Sequence, residues 1–508
     1  MLAKVYSFHL LGIEAYPIEV EIDVSRGLPA ITLVGLADTS IRESKERVKS
    51  AIKNSGFNWP AERITISLAP SDIKKEGSCF DLAIALGILA ATQQINSSSF
   101  GDYFVLGELS LDGSLRPVRG ILPISIAAAK SQIKNIILPS LNAKEAGIVP
   151  DISVWPLKTL RETVEFLNNP SLIKPFRLDA QTLLKECVGY SVDFSEVKGQ
   201  YLAKRALEVA VSGGHNVLMI GPPGSGKTML AKRIPTIMPN ITLEEALEVT
   251  KIHSVARTLP LKEGIINTHP FCNPHHTISN AALTGGGPIP HPGEISLAHQ
   301  GVLFLDELPE FHRDCLEALR QPLEDGFIRI SRARKSFIFP ASFMLICAMN
   351  PCPCGYYTDP RKACRCNPNK IVSYLGKISG PLLDRIDIHI ELPSVKYKEL
   401  TDTKDAEPSK IIKERVEKVR VIQRERFRSE GIFYNASMNT KLIKKYCVLE
   451  NKAKEFLKMA MSELGLSARA YDKILKVSRT IADLAGADSI LPEHVSEAIQ
   501  YRNLNRQW

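Results

Sequence analysis

The stretch from residue 217 to residue 228 constrains the fold of this chain more than any other. Its first four residues, Val217–Ile220, are all apolar and predict a buried strand. They lead straight into the pattern G-x-x-x-x-G-K-T, which runs from Gly221 to Thr228, and the residues after it suit a helix. A strand, a glycine-rich turn and a helix in this order direct successive backbone N–H groups at an anion, next to the positive end of the helix. The sequence therefore predicts an α/β domain with a phosphate-binding loop.

The residues of this loop have predicted roles in holding a nucleoside triphosphate with Mg²⁺. Lys227 reaches the β- and γ-phosphates, and the Thr228 hydroxyl is a ligand of the magnesium ion. The alternative, a glycine-rich turn with a chance Lys-Thr pair, does not explain why strand, loop and helix follow in register. Val197 opens the segment before the strand, where such segments often form a wall of the adenine pocket. The residues predicted to hold the nucleotide phosphates are Gly221, Pro222, Pro223, Gly224, Ser225, Gly226, Lys227 and Thr228.

Two later apolar strands end in polar residues that suit nucleotide hydrolysis. The first ends at Asp306 and Glu307. Asp306 is placed to hold Mg²⁺ through water, and Glu307 to polarise the water that attacks the γ-phosphate. The second strand ends at Asn350, which can orient that water. The structural alternatives are a helix N-cap for the two acids and a turn former for the amide.

Two arginines further along the chain are candidates for sensing or stabilising the γ-phosphate. Arg385 precedes an apolar strand and is the natural candidate for an arginine finger inserted into the site of a neighbouring subunit. Arg469 lies one turn inside a helix predicted to start at Ser467, from where it can reach back to the γ-phosphate. A buried ion pair of Arg385 with Asp384 or Asp387, and a surface position for Arg469, are the alternatives.

Length and composition limit the class of protein. A chain of 508 residues is too long for one hydrophobic core, and about three domains are expected. No apolar run approaches the ~20 residues that span a bilayer, and the N-terminus lacks the pattern of a signal peptide. We therefore expect a cytoplasmic protein without a membrane partner. The net charge of +9 permits a polyanionic partner without proving one.

Four of the ten cysteines form two close pairs, Cys352-x-Cys354 and Cys364-x-Cys366. Cysteines of a cytoplasmic protein are reduced or metal-bound rather than paired in disulfides. Four thiolates on one loop can close a tetrahedral Zn²⁺ site, so structural zinc is predicted. The C-x-C spacing is tighter than the common C-x₂-C, and four free thiols or a redox pair remain as alternatives.

The order of predicted elements divides the chain into four segments. Residues 1–168 mix strands and helices as an α+β domain does, and residues 169–195 have the Pro-containing, polar composition of a linker. Residues 196–395 alternate strands and helices, as expected for a parallel sheet covered on both faces. Residues 396–508 are predicted to be helical.

The first segment carries several short motifs that belong together. They are Gly107-Glu108-Leu109, Gly113, Pro117, Gly120, Ala127-Ala128-Ala129-Lys130 and Ile137-Leu138-Pro139. These motifs resemble the proteolytic domain of Lon proteases, a ribosomal-S5-like (S5 domain 2-like) fold that uses a Ser–Lys dyad. Here Cys79 stands at the nucleophile position and Leu122 at the lysine position, with Ser78 displaced. Because neither nucleophile has a general base, the resemblance implies a protease-shaped domain without protease chemistry.

The rest of the chain resembles a second family. The motifs that carry this resemblance are the phosphate-binding loop and residues 274–279, 283–287, 292–299, 301–311, 350–355 and 466–484. They resemble the AAA+ superfamily, in the clade of magnesium-chelatase ATPase subunits and minichromosome-maintenance helicases. The chain is more closely similar, from end to end, to the bacterial YifB/ComM family.

This resemblance implies an AAA+ P-loop core with a helical C-terminal lid, assembled as a hexameric ring that hydrolyses ATP with Mg²⁺. In such a ring Lys227, Thr228, Asp306, Glu307 and Asn350 act within one subunit. Arg385 acts from the neighbouring subunit, and for Arg469 both possibilities stay open. The family is described as promoting DNA branch migration during natural transformation.

Two segments are predicted to grip the DNA inside the ring. Residues 284–292 are rich in Gly and Pro and predict a mobile loop that points into a pore. Residues 328–339 predict a β-hairpin with four cations at or near its tip, which suit a phosphate backbone of any sequence. A solvated charged edge that prevents strand pairing is the alternative. The four cations are Arg329, Arg332, Arg334 and Lys335.

The sequence thus predicts a ring-forming ATPase that moves along single-stranded, duplex or branched DNA. A chelatase motor would be indifferent to DNA, and the chain lacks the acidic integrin-type domain of its partners. A protein unfoldase or protease would need an aromatic–hydrophobic pair in the pore loop, which residues 285–291 do not contain. A non-enzymatic DNA scaffold would not need Asp306 and Glu307.

Overall fold

The computed structural model describes residues 1–502 apart from 37, 72–74, 76, 97–98, 180–182, 185–189, 257, 261–262, 288–289, 332–335, 358 and 395–405, and apart from the side chains of 39 and 40. The chain forms two compact units. The first contains Met1–Cys187 and Thr242–Asn267, and the second contains Val188–Ile241 and Thr268–Trp508. The chain therefore leaves the second unit after Ile241 and returns to it at Thr268.

The strands of both units are short in most cases. In chain order they are β1 (Leu2–Leu11), β2 (Glu14–Ser25), β3 (Ala30–Val34), β4 (Arg63–Ala69), β5 (Tyr103–Val105), β6 (Glu108–Leu109), β7 (Leu115–Arg116), β8 (Asn135–Pro139), β9 (Ser153–Leu157), β10 (Val217–Ile220), β11 (Phe271–Cys272), β12 (Gly285–Gly286), β13 (His291–Pro292), β14 (Val302–Leu305), β15 (Phe327–Ser331), β16 (Ser336–Pro340), β17 (Met344–Met349) and β18 (Ile388–Glu391).

The helices range from single turns to five turns. In chain order they are α1 (Thr39–Asn54), α2 (Asp81–Ala91), α3 (Ile121–Lys130), α4 (Ala143–Gly147), α5 (Leu160–Asn168), α6 (Tyr201–Gly213), α7 (Lys227–Ile237), α8 (Leu243–Ala256), α9 (Asn280–Thr284), α10 (Glu294–Leu297), α11 (Arg313–Ala318), α12 (Arg320–Asp325), α13 (Pro368–Leu375), α14 (Gly380–Leu383), α15 (Ser409–Arg426), α16 (Thr440–Tyr446), α17 (Asn451–Leu464), α18 (Ala468–Leu484) and α19 (Pro492–Gln500). Short 3₁₀ turns lie at Phe100–Asp102, Ser140–Asn142, Pro170–Leu172, Phe194–Glu196, Leu308–Glu310 and Asn435–Ser437.

A seven-stranded mixed sheet organises the first unit, in the order β3-β4-β2-β1-β5-β8-β9. Successive residues of its central strands point to opposite faces, and both faces are apolar. Phe104 and Ile136 belong to one hydrophobic cluster, whereas Val105 and Ile137 belong to another. Helix α2 packs in the second cluster with every residue buried, which explains why it is apolar on all sides.

Helix α8 also belongs to the first unit, although its residues lie inside the segment predicted as the α/β core, 196–395. Its Leu247 packs against the cluster of Phe104. Its Ser254 hydroxyl lies 2.5 Å from the carboxylate of Glu145, which also accepts a hydrogen bond from the backbone N–H of Leu122 at 2.8 Å. The sequence could not reveal this excursion, because an amphipathic helix looks the same whichever core it covers.

A five-stranded parallel sheet organises the second unit, in the order β11-β14-β17-β10-β18. Strand β10 lies in its interior, with Val217 opposite Ile346 on one side and opposite Ile388 on the other. Val217 packs in one hydrophobic cluster and Leu218 in another, so both faces of the sheet are covered. The predicted mixed α/β chain with a parallel sheet is confirmed.

The C-terminal helices α15–α19 share a hydrophobic core with one face of this sheet. Val416 of α15, Ile474 of α18 and Val495 of α19 belong to the same cluster as Val217. Within the described residues, no helix combines the length and the apolar character that crossing a membrane requires.

Candidate active site

The phosphate-binding loop lies where β10 ends and α7 begins. Gly224 and Gly226 have φ angles of 78° and 92°, a left-handed conformation that glycine adopts without strain. A Cβ atom on Gly221 would lie 2.4 Å from the carbonyl oxygen of Leu392, so only glycine fits this approach to the neighbouring chain segment. Gly226 directly precedes the first turn of α7, whose free N–H groups therefore face the loop.

Lys227 lies across the inside of the loop. Its ammonium group donates to the carbonyl oxygens of Gly221 at 2.6 Å and Pro222 at 3.0 Å, and to Oδ1 of Asn350 at 3.2 Å. Burial lowers the pKa of Lys227 to about 8, although Asp306 and Glu307 favour its charged form. The predicted phosphate ligand and the predicted water-orienting amide are thus in direct contact.

The two acids at the end of β14 face the same loop. The Thr228 hydroxyl donates to Oδ2 of Asp306 at 2.6 Å, and the other oxygen of Asp306 accepts from the Glu307 backbone N–H at 3.0 Å. A hydroxyl and a carboxylate oxygen side by side are the ligand type that Mg²⁺ prefers. Glu307 has a φ angle of 54°, a strained conformation for a non-glycine residue that is often found at active sites.

His276 is a site residue that the sequence did not connect with hydrolysis. Its Nδ1 lies 3.4 Å from Oε2 of Glu307, whereas the neighbouring His275 contacts the Thr277 hydroxyl at 2.9 Å. His276 follows β11, which is three positions away from β10 in the sheet order but adjacent to β14, the strand that leads to Glu307. The only sequence signal was its place in a motif shared with the family that the chain resembles.

The segment before β10 is connected to the loop by Gln200, which the sequence also did not single out. Its side-chain amide donates to the carbonyl oxygens of Ser225 at 3.1 Å and Pro393 at 2.8 Å. Val197, three residues earlier, is buried in the core, and its carbonyl oxygen accepts from the ammonium group of Lys204. The predicted role of Val197 in an adenine pocket stays a prediction.

Arg385 and Arg469 lie near the starting ends of the parallel strands, whereas the phosphate-binding loop lies at the opposite ends. Asn216 directly precedes β10, and its side-chain amide donates to the carbonyl oxygen of Arg385 at 3.1 Å. The backbone carbonyl oxygen of Asn216 accepts from the Asp387 N–H at 3.0 Å. Arg385 is therefore at the starting end of β10 and β18, about 13 Å of strand away from the loop that follows Ile220. The structure does not bring either arginine to the Lys227 side of its own chain.

Both arginines line one cavity of about 720 Å³ at this end of the strands. Arg385 pairs with Glu324, and Arg469 lies 3.5 Å from a carboxylate oxygen of Asp384. Asp387 pairs with Lys473 at 2.7 Å rather than with Arg385. Asp384 and Asp387 were the alternative partners predicted for Arg385. They contact Arg469 and Lys473 instead.

The four paired cysteines come together in space. The Cys352 sulfur lies 3.3 Å from that of Cys354 and 3.7 Å from that of Cys364, and the last two are 3.6 Å apart. With Cys366, all four sulfurs lie within 4.8 Å of one another. A tetrahedron of thiolates around Zn²⁺ has edges of about 3.8 Å, so this donor set fits zinc.

The loop that carries these cysteines touches the phosphate-binding loop. Gly355 has a φ angle of 85°, and a Cβ atom on it would lie 2.5 Å from Cδ of Pro223. The cysteine loop also begins directly after Asn350. Its conformation therefore affects two parts of the predicted nucleotide site.

Strands β15 and β16 form the predicted basic hairpin, here meaning residues 327–340. Phe327 is opposite Pro340 in an antiparallel register, and the exposed Arg329 lies over the ring of Phe327, with 5.8 Å between the guanidinium carbon and the ring centroid. The remaining predicted DNA contacts, Arg332, Arg334 and Lys335, lie outside the described residues.

Residues 284–292, predicted as a mobile loop, include two short paired strands, β12 and β13. Gly285 pairs with Pro292, and a Cβ atom on Gly285 would lie 2.4 Å from the carbonyl oxygen of His291. Gly285 thus permits two backbone segments to approach each other, and the role of the segment as a pore loop stays a prediction.

The positions that correspond to the Lon catalytic residues are Cys79 and Leu122, and their environments suit packing rather than catalysis. Burial raises the pKa of the Cys79 thiol to about 12, so the nucleophilic thiolate is disfavoured. Leu122, at the lysine position, is fully buried, and the Ser78 hydroxyl donates to the carboxylate of Glu108.

Family models of magnesium chelatase match three parts of the chain. The model of magnesium chelatase, subunit ChlI, matches residues 193–400. The model of subunit ChlI of Mg-chelatase matches residues 20–142, and the model of the subunit ChlI C-terminal region matches residues 406–502. Together the matches include the phosphate-binding loop, both arginines and the cysteine loop.

Two relatives are similar to the chain over almost its full length, and a third relative is similar over about one third of it. The chain is 45% identical to competence protein ComM of Haemophilus influenzae, over 99% of this chain and 98% of that protein. It is 42% identical to the uncharacterized protein YifB of Escherichia coli, with the same coverage. Lon protease 2 of Bacillus subtilis is 28% identical over 32% of each chain.

Proposed function

The chain belongs to the YifB/ComM family of magnesium-chelatase-like AAA+ ATPases, and on that premise we propose that it is a ring-forming ATPase that moves along DNA. The observation that carries the ATPase part is the 2.6 Å hydrogen bond between Thr228 and Asp306. It joins the loop after β10 to the end of β14, so the phosphate-binding and hydrolytic residues converge at one edge of the sheet.

ATP with Mg²⁺ is the nucleotide that these residues suit. Thr228 and Asp306 would hold the magnesium ion, which neutralises charge on the phosphate oxygens when bound. Lys227 exchanges its carbonyl and amide partners for phosphate oxygens. Glu307 polarises the attacking water and accepts its proton, while Asn350 orients that water.

A neighbouring subunit supplies the remaining charge in this proposal. Arg385 and Arg469 line a cavity at the edge of the sheet that is opposite to their own phosphate-binding loop. A head-to-tail ring brings such an edge of one subunit to the loop of the next. We therefore assign both arginines a role in trans, as cations that stabilise the transferring phosphoryl group, and propose a homo-hexamer.

DNA is the proposed substrate of the movement, through branch migration or helicase action during natural transformation. The support is the name of the Haemophilus relative, the net charge of +9, and a hairpin whose exposed Arg329 begins a run of four cations. The contacts of such a hairpin with phosphates would be indifferent to base sequence.

ATP hydrolysis measured without DNA and with single strands, duplex and a four-way junction tests this function. We expect stimulation by at least one DNA form. Glu307→Gln should retain ATP binding and lose turnover on the order of 10²-fold, because it cannot accept the proton from water. Glu310→Gln, in an exposed ion pair with Lys377, is the matched control and should hydrolyse ATP normally. An active enzyme that ignores every DNA would favour a chelatase-like or protein-remodelling motor.

Structural zinc is the proposed occupant of the four cysteines. The support is the set of sulfur–sulfur distances, 3.3–3.7 Å, which approach the edge of a zinc tetrahedron. Metal analysis of purified protein should find one zinc per chain and much less in Cys364→Ser. Zinc-free wild-type protein with four titratable thiols would contradict the assignment.

A further inference from the structure

We infer that Glu324 restrains the arginine finger of its own chain and releases it when the basic hairpin engages DNA. The inference rests on the proposed function, because it takes Arg385 as the residue that completes the neighbour's ATP site. Glu324 is the third-last residue before the hairpin begins at Phe327.

The guanidinium of Arg385 is engaged within its own chain. Nη2 donates to Oε1 of Glu324, and Nη1 donates to the carbonyl oxygen of Pro381 at 2.6 Å. The Arg385 side chain is only 13% exposed, whereas that of Glu324 is 57% exposed. The carboxylate thus covers the cation from the solvent side.

An arginine finger acts only when its terminal N–H groups face phosphate oxygens of the next subunit. Carboxylate and phosphate oxygens compete for the same N–H groups of a guanidinium. The pair with Glu324 must therefore open before Arg385 can reach the γ-phosphate. Two states follow, one with the pair closed and one with it open, and any ligand that favours the open state raises the rate of hydrolysis.

Arg469 repeats this arrangement more loosely. Its Nη1 lies 3.5 Å from Oδ2 of Asp384, and the two side chains are 69% and 41% exposed. Both arginines that line the cavity therefore have a carboxylate of their own chain as partner. Arg385, the better-buried arginine, has the partner that is close to the hairpin.

The base of the hairpin is bonded directly to the helix that carries Glu324. Gly326 ends α12 with a φ angle of 72°, and its N–H donates to the carbonyl oxygen of Pro322 at 2.9 Å. The Gly326 carbonyl oxygen accepts from the N–H of Ala341 at 2.8 Å, directly after β16. A displacement of the hairpin by DNA is therefore transmitted to the end of α12, and with it to Glu324.

Glu324→Gln tests the inference, because the amide keeps the shape of the side chain and removes its charge. We expect hydrolysis without DNA to rise by up to about five-fold, the shift that loss of one partly exposed ion pair produces. The ratio of DNA-stimulated to basal rate should fall accordingly. Glu324→Asp retains the carboxylate and should restore much of the wild-type ratio.

Glu317→Gln is the matched control, since Glu317 pairs with Arg320 at 2.7 Å and belongs to the preceding helix. It should leave both rates unchanged, and Arg385→Ala should abolish both. Wild-type hydrolysis by Arg385→Ala would contradict the proposed function itself. An inactive Arg385→Ala together with a wild-type basal rate in Glu324→Gln would overturn only the inference, as would loss of both rates in Glu324→Gln.

Discussion

At the scale of single residues, the hydrogen-bond partners of Lys227 and its burial set the pKa of this predicted phosphate ligand. Its ammonium group is buried and donates to neutral oxygens of Gly221, Pro222 and Asn350. Burial lowers its pKa to about 8, because the charged form loses hydration that these partners replace only in part. Phosphate oxygens would instead be negatively charged partners for this ammonium group.

Lys227 should therefore take up a proton when Mg·ATP binds in mildly alkaline solution. The phosphates raise its pKa, so at pH 8.5 binding should consume roughly three quarters of a proton, and at pH 6.5 almost none, because the free lysine is already protonated. Calorimetry in buffers of different ionisation enthalpy measures this uptake. Lys227→Arg, whose side chain stays charged at both values, should show no difference between them; equal uptake at the two pH values in the wild type would refute the prediction.

At the scale of elements, the cysteine loop packs directly against the phosphate-binding loop. Gly355 has a left-handed backbone, and the ring of Pro223 lies so close to it that a Cβ atom has no room. The first of the four cysteines, Cys352, is buried two residues after Asn350. A metal at the cysteines would therefore hold the loop in the position that the nucleotide site needs.

Gly355→Ala should weaken ATP binding by roughly ten-fold, because about 1–2 kcal/mol of backbone strain and contact with Pro223 is relieved only by moving the loop. Fluorescent-nucleotide titration measures the change. Gly465→Ala, with a similar φ angle of 59° but open space around it, should lose comparable stability and keep normal affinity. Equal affinities of the two variants would show that the contact does not matter for nucleotide binding.

At the scale of the whole molecule, the two ends of the parallel strands carry complementary predicted parts of an ATP site. One end carries the phosphate-binding loop, Asp306 and Glu307, and the other carries Arg385 and Arg469. In the proposed mechanism neither set of residues suffices for hydrolysis. Each chain contributes the loop and acids to one site and the arginines to the site of its neighbour. Activity should therefore depend on assembly.

Mixing two inactive variants tests this dependence. Lys227→Ala cannot bind ATP but retains its arginines, and Arg385→Ala binds ATP but should lose turnover on the order of 10³-fold or more. In mixed rings about a quarter of the interfaces combine an intact loop with an intact arginine, and the mixture should recover a similar share of activity. A mixture as inactive as its components, under conditions where both variants co-assemble, would argue against a shared site.

Much of the site could be predicted from the sequence because its signals are local. The strand, glycine turn and helix around Lys227 are contiguous, and so are the apolar strands that end at Glu307 and Asn350. The structure brings these three segments together because parallel strands end at the same edge of a sheet. Their roles as catalytic residues remain predictions until activity is measured.

The amino-acid sequence by itself determined the phosphate-binding loop, the alternation of strands and helices, and the cysteine pairs, since each depends on residues a few positions apart. Only the tertiary structure decided which core α8 covers, that Arg385 and Arg469 share a cavity, and that Glu324 and His276 reach Arg385 and Glu307. These contacts join residues that are 30 to 110 or so positions apart, and their free energy depends on how whole elements pack. No pattern of neighbouring residues contains that information.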